Sequence, residues 1–298
     1  GMMARWGVVE PETKNNLRDG GLARQLLLIP EAPVLLALLL IGWAYGFPPA
    51  ISVLTALTIV VFIVRLLLIA SASRQLDRGR YGHAERLSGA ALRIYPWSAD
   101  ALLLRAQGCV LRGDDAQAEE LLRRALDLAP DSPMVHSALA GVLIERGNFA
   151  AAREHAGTAF RQAAGAPYAV QHLAWLALHV DGEPVSALRV LSTVDLEQVQ
   201  PTLAAPLLVA LAETQLARGA VQPARASVGK IDLMLDQCPV PQQAELCYQI
   251  GRLKAMFGGE SRAYFRRSLA LDPAGRYAHS AWRAAMDADD IPTTLVAS

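Results

Sequence analysis

The chain has 298 residues, 53% of them hydrophobic, and 28 basic residues balance 28 acidic ones. A net charge of zero excludes the strongly basic footprint that nucleic-acid binding requires. Three cysteines, Cys109, Cys238 and Cys247, are an odd and sparse set that builds no disulfide framework and suits a reducing compartment.

The apolar excess is concentrated near the N-terminus. Residues 1–25 form a polar arm, and residues 26–72 read as a transmembrane hairpin. From Val34 to Ala70 the only charge is Arg65, and Gly46-Phe47-Pro48-Pro49 is the only break. The pattern therefore predicts two spans, about Pro30 to Tyr45 and Ala50 to Ala70. The second, at ~1.5 Å per residue, reaches roughly 31 Å, enough for a hydrocarbon core. The first is shorter, so it tilts or begins in the interface. Arg5, Lys14, Arg18 and Arg24 precede the hairpin, while Arg74, Arg78, Arg80 and Arg86 follow it. Basic flanks at both ends place both termini in the cytoplasm. Arg65, five residues from the end of its span, is expected to snorkel to the interface. The stretch is too long, and too clearly broken by its turn, for a secretory signal.

Beyond the hairpin one pattern is written three times. Gly79, Gly113 and Gly147 stand 34 residues apart; Tyr81, Asp115 and Phe149 follow two residues later, then Ala84, Ala118 and Ala152. A period of this length with small residues at fixed places marks stacked helical hairpins, none able to bury its apolar face alone. The first helix of the first hairpin, about residues 65–78, overlaps the second span, so that span is expected to run straight into the repeats. The second hairpin pairs Ala99–Arg112 with Ala116–Ala129, and the third occupies Pro133–Ala166. Looser hairpins follow. Tyr168–Val180 pairs with Val185–Val194, Pro206–Arg218 with Gln222–Leu235, and Gln243–Phe257 with Ser261–Leu271. Arg276–Ala288 is expected to cap the solenoid, leaving residues 291–298 as a tail.

Gly113, Ala118, Ala125 and Leu126-Asp127-Leu128-Ala129-Pro130 resemble the tetratricopeptide repeat signature, and Gly147, Phe149, Ala152 and Ala159 repeat it. The resemblance implies an all-α solenoid of about six hairpins over residues 65–290, used to bind proteins. It implies a concave groove lined by Leu103, Gln107, Val110, Ser137, Gly141, Ile144, His172, Leu176, His179, Val209 and Glu213. That lining is apolar, suited to an amphipathic helix or extended peptide.

No catalytic constellation emerges. Ser227 and Lys230 match only a bare Ser-x-x-Lys spacing. His172 and His179 share a helix face, and Cys238 and Cys247 flank a proline-rich connector, yet neither pair supplies enough metal ligands. The expectation is a non-enzymatic adaptor, without cofactor or metal, at a bacterial inner membrane, its partners the bilayer and other membrane proteins. The layout is similar to the PelE-type repeat proteins of Pel exopolysaccharide secretion, which sit with a glycosyltransferase and a membrane transporter, and to HemY-type inner-membrane repeat proteins.

Overall fold

The computed structural model describes residues 31–46 and 48–287. The expected N-terminal arm, the start of the first span and the tail lie outside the described residues. Within them the fold is all-helical. Helix α1 (Glu31–Tyr45) turns at Gly46 and packs against α2 (Pro49–Asp77), an unbroken helix of 29 residues. A three-residue turn, Arg78-Gly79-Arg80, leads into α3 (Tyr81–Ile94), whose packing partner is the C-terminal part of α2, where Ala72 and Leu76 are buried.

The remaining helices continue in pairs. They are α4 (Ala99–Arg112) with α5 (Asp115–Leu128), α6 (Pro133–Glu145) with α7 (Phe149–Gln162), and α8 (Pro167–His179) with α9 (Pro184–Leu191). Then come α10 (Pro201–Ala217) with α11 (Val221–Met234), α12 (Val240–Met256) with α13 (Arg262–Leu271), and the terminal α14 (Ala278–Asp287).

Local chemistry explains why the pairs form where they do. The glycine between paired helices adopts a left-handed conformation, with φ of 70° at Gly79, 84° at Gly113 and 75° at Gly147. A side chain would be strained there, and the geometry lets the following N–H reach back and satisfy an orphan helix carbonyl. Asp114 N–H, for example, donates to Cys109 O at 2.9 Å. Gly182, Gly219 and Gly258 take the same conformation, so the punctuation persists after the 34-residue step has lengthened. Ser98, Asp114, Ser132 and Asn148 cap the N-termini that follow, each side chain accepting from a backbone N–H three residues on. Ala118, Ala152, Ala187 and Ala224, all 0% exposed, allow close helix crossings.

Two sequence expectations are corrected. Helix α10 starts at Pro201, five residues before the predicted boundary, and Pro206 lies inside it. Proline removes the N–H that would satisfy the Thr202 carbonyl, and Gln242 Nε2 from α12 donates to that oxygen instead, at 2.6 Å. Arg65 does not snorkel. It is 3% exposed, with its guanidinium over the rings of Phe62 and Tyr95 and Nη1 donating to Ser98 Oγ at 3.1 Å. The α3–α4 loop has folded over it.

Only α2 among the described helices has the length and apolarity to cross a membrane. Its surface is unpartnered over most of that length: Val53, Leu54, Leu57, Val60, Ile63 and Leu67 are all exposed. The shorter α1 exposes Leu36, Leu40, Trp43 and Tyr45 beside it.

Candidate protein-interaction site

The first helices of the pairs form the inner layer. α6 meets α8, α8 meets α10, α10 meets α12, and α12 returns to touch α2. The solenoid therefore closes on itself, and the segment between α13 and α14 fastens the closure. Arg276 donates its backbone N–H to Leu111 O at 2.9 Å, and Nη1 to Val110 O at 3.2 Å and to Asp115 Oδ1 at 2.9 Å. Its Nη2 also reaches Asp115 and, at 3.2 Å, Glu145 Oε2. The backbone N–H thus caps the Leu111 carbonyl at the end of α4, while the fork of the guanidinium adds a second donor to the Val110 carbonyl and pairs two carboxylates at once, a geometry that only arginine supplies. A second fastening joins Tyr81 Oη to the Asp272 carboxylate. Gly275 permits that carboxylate its position, since a Cβ there would lie 2.1 Å from Asp272 Oδ2.

Tyr81 and Asp115 occupy the same place in the repeat, at the first position of the second helix. Phe149, the third member, instead meets the Trp175 ring at 6.1 Å. Periodicity marked the position, but what it touches depends on the last pair of helices, which no local pattern announces.

The expected groove residues divide sharply. Val110, Ser137, Gly141, Ile144, His172, Leu176 and Val209 are buried, packed among inner helices. Ser137 Oγ donates to Tyr168 O at 2.7 Å, and Val110 gives its carbonyl to Arg276. These seven of the eleven are covered by the closed inner layer and do not line an accessible groove. Leu103 and Gln107 are half-buried. His179 is exposed, lies on the Trp175 ring at a centroid distance of 4.9 Å, and meets Glu213 Oε2 at 3.1 Å; Arg252 approaches the same carboxylate at 3.8 Å. The accessible part of the predicted groove is this His179–Glu213–Arg252 edge and the Leu103–Gln107 edge.

Beneath it lies a polar interior. Gln171, Gln242, Glu245 and Gln249, with Pro206 and Val209, line a cavity of about 10 Å³, room for one water. Burial pushes the Glu245 carboxyl up to about 8, opposed by Arg276 and reinforced by Glu145. Burial also drives His172 down to about 4, so its imidazole is neutral.

The pairs weighed for chemistry do not converge. His172 is inside while its helix neighbour His179 faces out. Cys238 and Cys247 are both buried free thiols, the latter pushed up to about 11 by burial, which leaves it un-ionised and inert near neutrality. Ser227 is 5% exposed and donates to Gln215 Oε1 at 2.9 Å. Among the described residues no three His, Cys, Asp or Glu side chains group as a metal site.

The tetratricopeptide repeat family profile matches residues 75–142. No curated protein matches the chain. Among solved structures, a chain of the APC/C hetero-tetramer Cut9-Hcn1 is 14% identical, with a TM-score of 0.53 over 89% of this chain and 54% of that one. The tetratricopeptide repeat protein TTC0263 of Thermus thermophilus is 19% identical, with a TM-score of 0.50 over 63% of this chain and 98% of that one. An O-GlcNAc transferase mutant from Thermobaculum terrenum is 24% identical over 45% of this chain and 26% of its own, with a TM-score of 0.42. This chain thus spans about half the length of the Cut9-Hcn1 chain and about a quarter of the transferase. Residues 75–142 are tetratricopeptide repeats, and the helical pairs after them continue the same fold.

Proposed function

We propose that the protein is a non-enzymatic scaffold, anchored in a bacterial inner membrane by α1 and α2, whose repeats hold other proteins of a membrane complex on the cytoplasmic side. The observation that carries this reading is α2 itself. Its first two-thirds present bulky apolar side chains around most of the circumference, and the same helix continues without a break into the wall of the first repeat. A surface of that kind needs an apolar surrounding, and a rigid continuation fixes the repeats close to it. Helix α1, packed on α2 and exposing Trp43 and Tyr45 at its end, supplies the returning span.

Partners engage the accessible edges of the inner layer, at Leu103 and Gln107 and at His179 and Glu213. Val110, Ser137, Gly141, Ile144, His172, Leu176 and Val209 are packed among the inner helices and stay out of a partner's reach while those helices remain together. The finer reading is assembly of an exopolysaccharide synthesis and export complex, with a glycosyltransferase and a transporter as neighbours. It rests on the layout of arm, hairpin and repeats; a HemY-like membrane repeat protein has a similar one. The test is gentle detergent extraction from the native host, capture through the C-terminus and mass spectrometry of the eluate. A glycosyltransferase with a polytopic transporter, lost on substituting Leu103→Asp, is the expected result. Recovery of the protein alone would contradict the scaffold.

A further inference from the structure

We infer that the α3–α4 loop, residues 95–98, together with Ile94 at the end of α3, is a second membrane contact that inserts into the headgroup region of the same bilayer and sets how the repeats sit on it. The inference rests on the reading of α2 as a span.

Depth is the first observation. If the hydrocarbon core begins at Pro49, the ~1.5 Å rise per residue puts Arg65 about 24 Å into it, and a core of about 30 Å ends near Ile69. The loop is held at the level of Arg65. Ser98 Oγ accepts from Arg65 Nη1 at 3.1 Å, and the Tyr95 ring lies 5.9 Å from the guanidinium. Trp97 meets the Tyr95 ring edge-on, at 5.8 Å between centroids. Trp97 is therefore fixed a few ångströms inside the boundary, the depth at which tryptophan is favoured.

Composition is the second. Trp97 is 66% exposed and Ile94 40%, with Pro96 exposed between them, and Leu66 and Leu67, next to Arg65 on α2, are exposed as well. Arg93, exposed beside Ile94, adds a charge complementary to anionic headgroups. An apolar tip with a basic flank, continuous with the lipid-facing side of a span, fits a lipid interface better than a protein partner.

The third observation is Arg65. A guanidinium facing lipid at that depth is costly, yet here it is shielded by Phe62, Tyr95 and Ser98. Insertion of the loop explains why a charge inside the span is tolerated, and the Arg65 contact in turn holds the loop rigid.

The test uses the full chain in vesicles of mixed phosphatidylcholine and phosphatidylglycerol whose acyl chains are brominated either near the carbonyl end or near the terminal methyl. The difference in tryptophan emission between the native chain and Trp97→Phe isolates Trp97; this conservative change at an exposed ring leaves the fold in place. A parallel Leu57→Trp variant, read as its difference from the native chain, reports on the span. The expected result is loss of the Trp97 signal mainly to shallow bromines, and of the Leu57→Trp signal mainly to deep ones. Quenching of Leu57→Trp with an unquenched Trp97 would overturn the loop contact alone. Absence of quenching at both would overturn the span and, with it, the loop contact.

Discussion

Helices α6 and α10 are apolar around nearly their whole circumference, and so is α2, yet the first two vanish into the core and the third is almost bare. In α6 every residue from Val135 to Ile144 is buried, and in α10 the run Ala204–Ala210 is. The difference lies in side-chain size. Helix α6 carries Ser137, Ala138, Ala140 and Gly141, and α10 carries Ala204, Ala205, Ala210 and Ala212, small residues that let neighbouring backbones approach. Helix α2 carries Val53, Leu54, Leu57, Ile59, Val60, Val61, Ile63 and Val64 across the same length, bulk that stays exposed even with α1 alongside. Apolarity says that a helix avoids water; the size pattern says whether the rest of this chain packs closely enough to cover it.

The largest way to break this comparison is to open the layer that buries α6 and α10. Arg276→Ala leaves Asp115 and Glu145 unpaired in a partly buried site, and removal of one partner from such a network costs roughly 3 kcal/mol. Hydrogen exchange should then rise in α4 and α12–α14 while α2 is unchanged. Making α6 resemble α2 comes next. Ala140→Leu forces bulk into a 0% exposed position and costs about 2 kcal/mol by overpacking, read as a lower melting temperature in detergent. Gly251→Ala acts through the same mechanism, because its Cβ would lie 2.7 Å from Phe265 Cε1, with a cost of about 1–3 kcal/mol.

The buried interior responds to pH in two directions. The Glu245 carboxyl titrates at about 8 when folded and near 4.5 when unfolded, so the folded state holds the extra proton between these values. Stability from this group is fully present below about 4.5 and is lost as pH rises towards 8. Glu245→Gln should flatten that decline and raise the melting temperature most at pH 8. His172, at about 4 folded and 6.5 unfolded, acts on the other side: its contribution is lost as pH falls from 6.5 to 4. The smallest effect belongs to α2. Val60→Leu keeps an exposed apolar side chain apolar and should shift repeat stability by less than about 0.5 kcal/mol.

Much of the architecture was legible locally. A left-handed glycine and a capping Ser, Asp or Asn are short-range requirements, so Gly79, Gly113 and Gly147 with Ser98, Asp114, Ser132 and Asn148 announce the early hairpins. What could not be read depends on residues far apart in the chain. Pro206 looks like a helix start because its remedy, Gln242, lies 40 residues downstream of the Thr202 carbonyl that the proline leaves unsatisfied. Arg65 looks like a snorkelling anchor because the loop that covers it is a separate element. The closure couples Arg276 to Asp115 across 161 residues, so the groove residues it helps to hide look open in sequence. The one hint was Asp115, a carboxylate at a repeat position filled elsewhere by Tyr81 and Phe149.

The account stands or falls on α2 crossing a bilayer and emerging as part of the repeats. The direct measurement is labelling of Pro49→Cys and Arg78→Cys, both at exposed positions at opposite ends of α2, in spheroplasts with a membrane-impermeant maleimide. The three native cysteines are buried and give a low background. The expected result is that Pro49→Cys reacts from outside and Arg78→Cys only after permeabilisation. Reaction of both from the same side would contradict it.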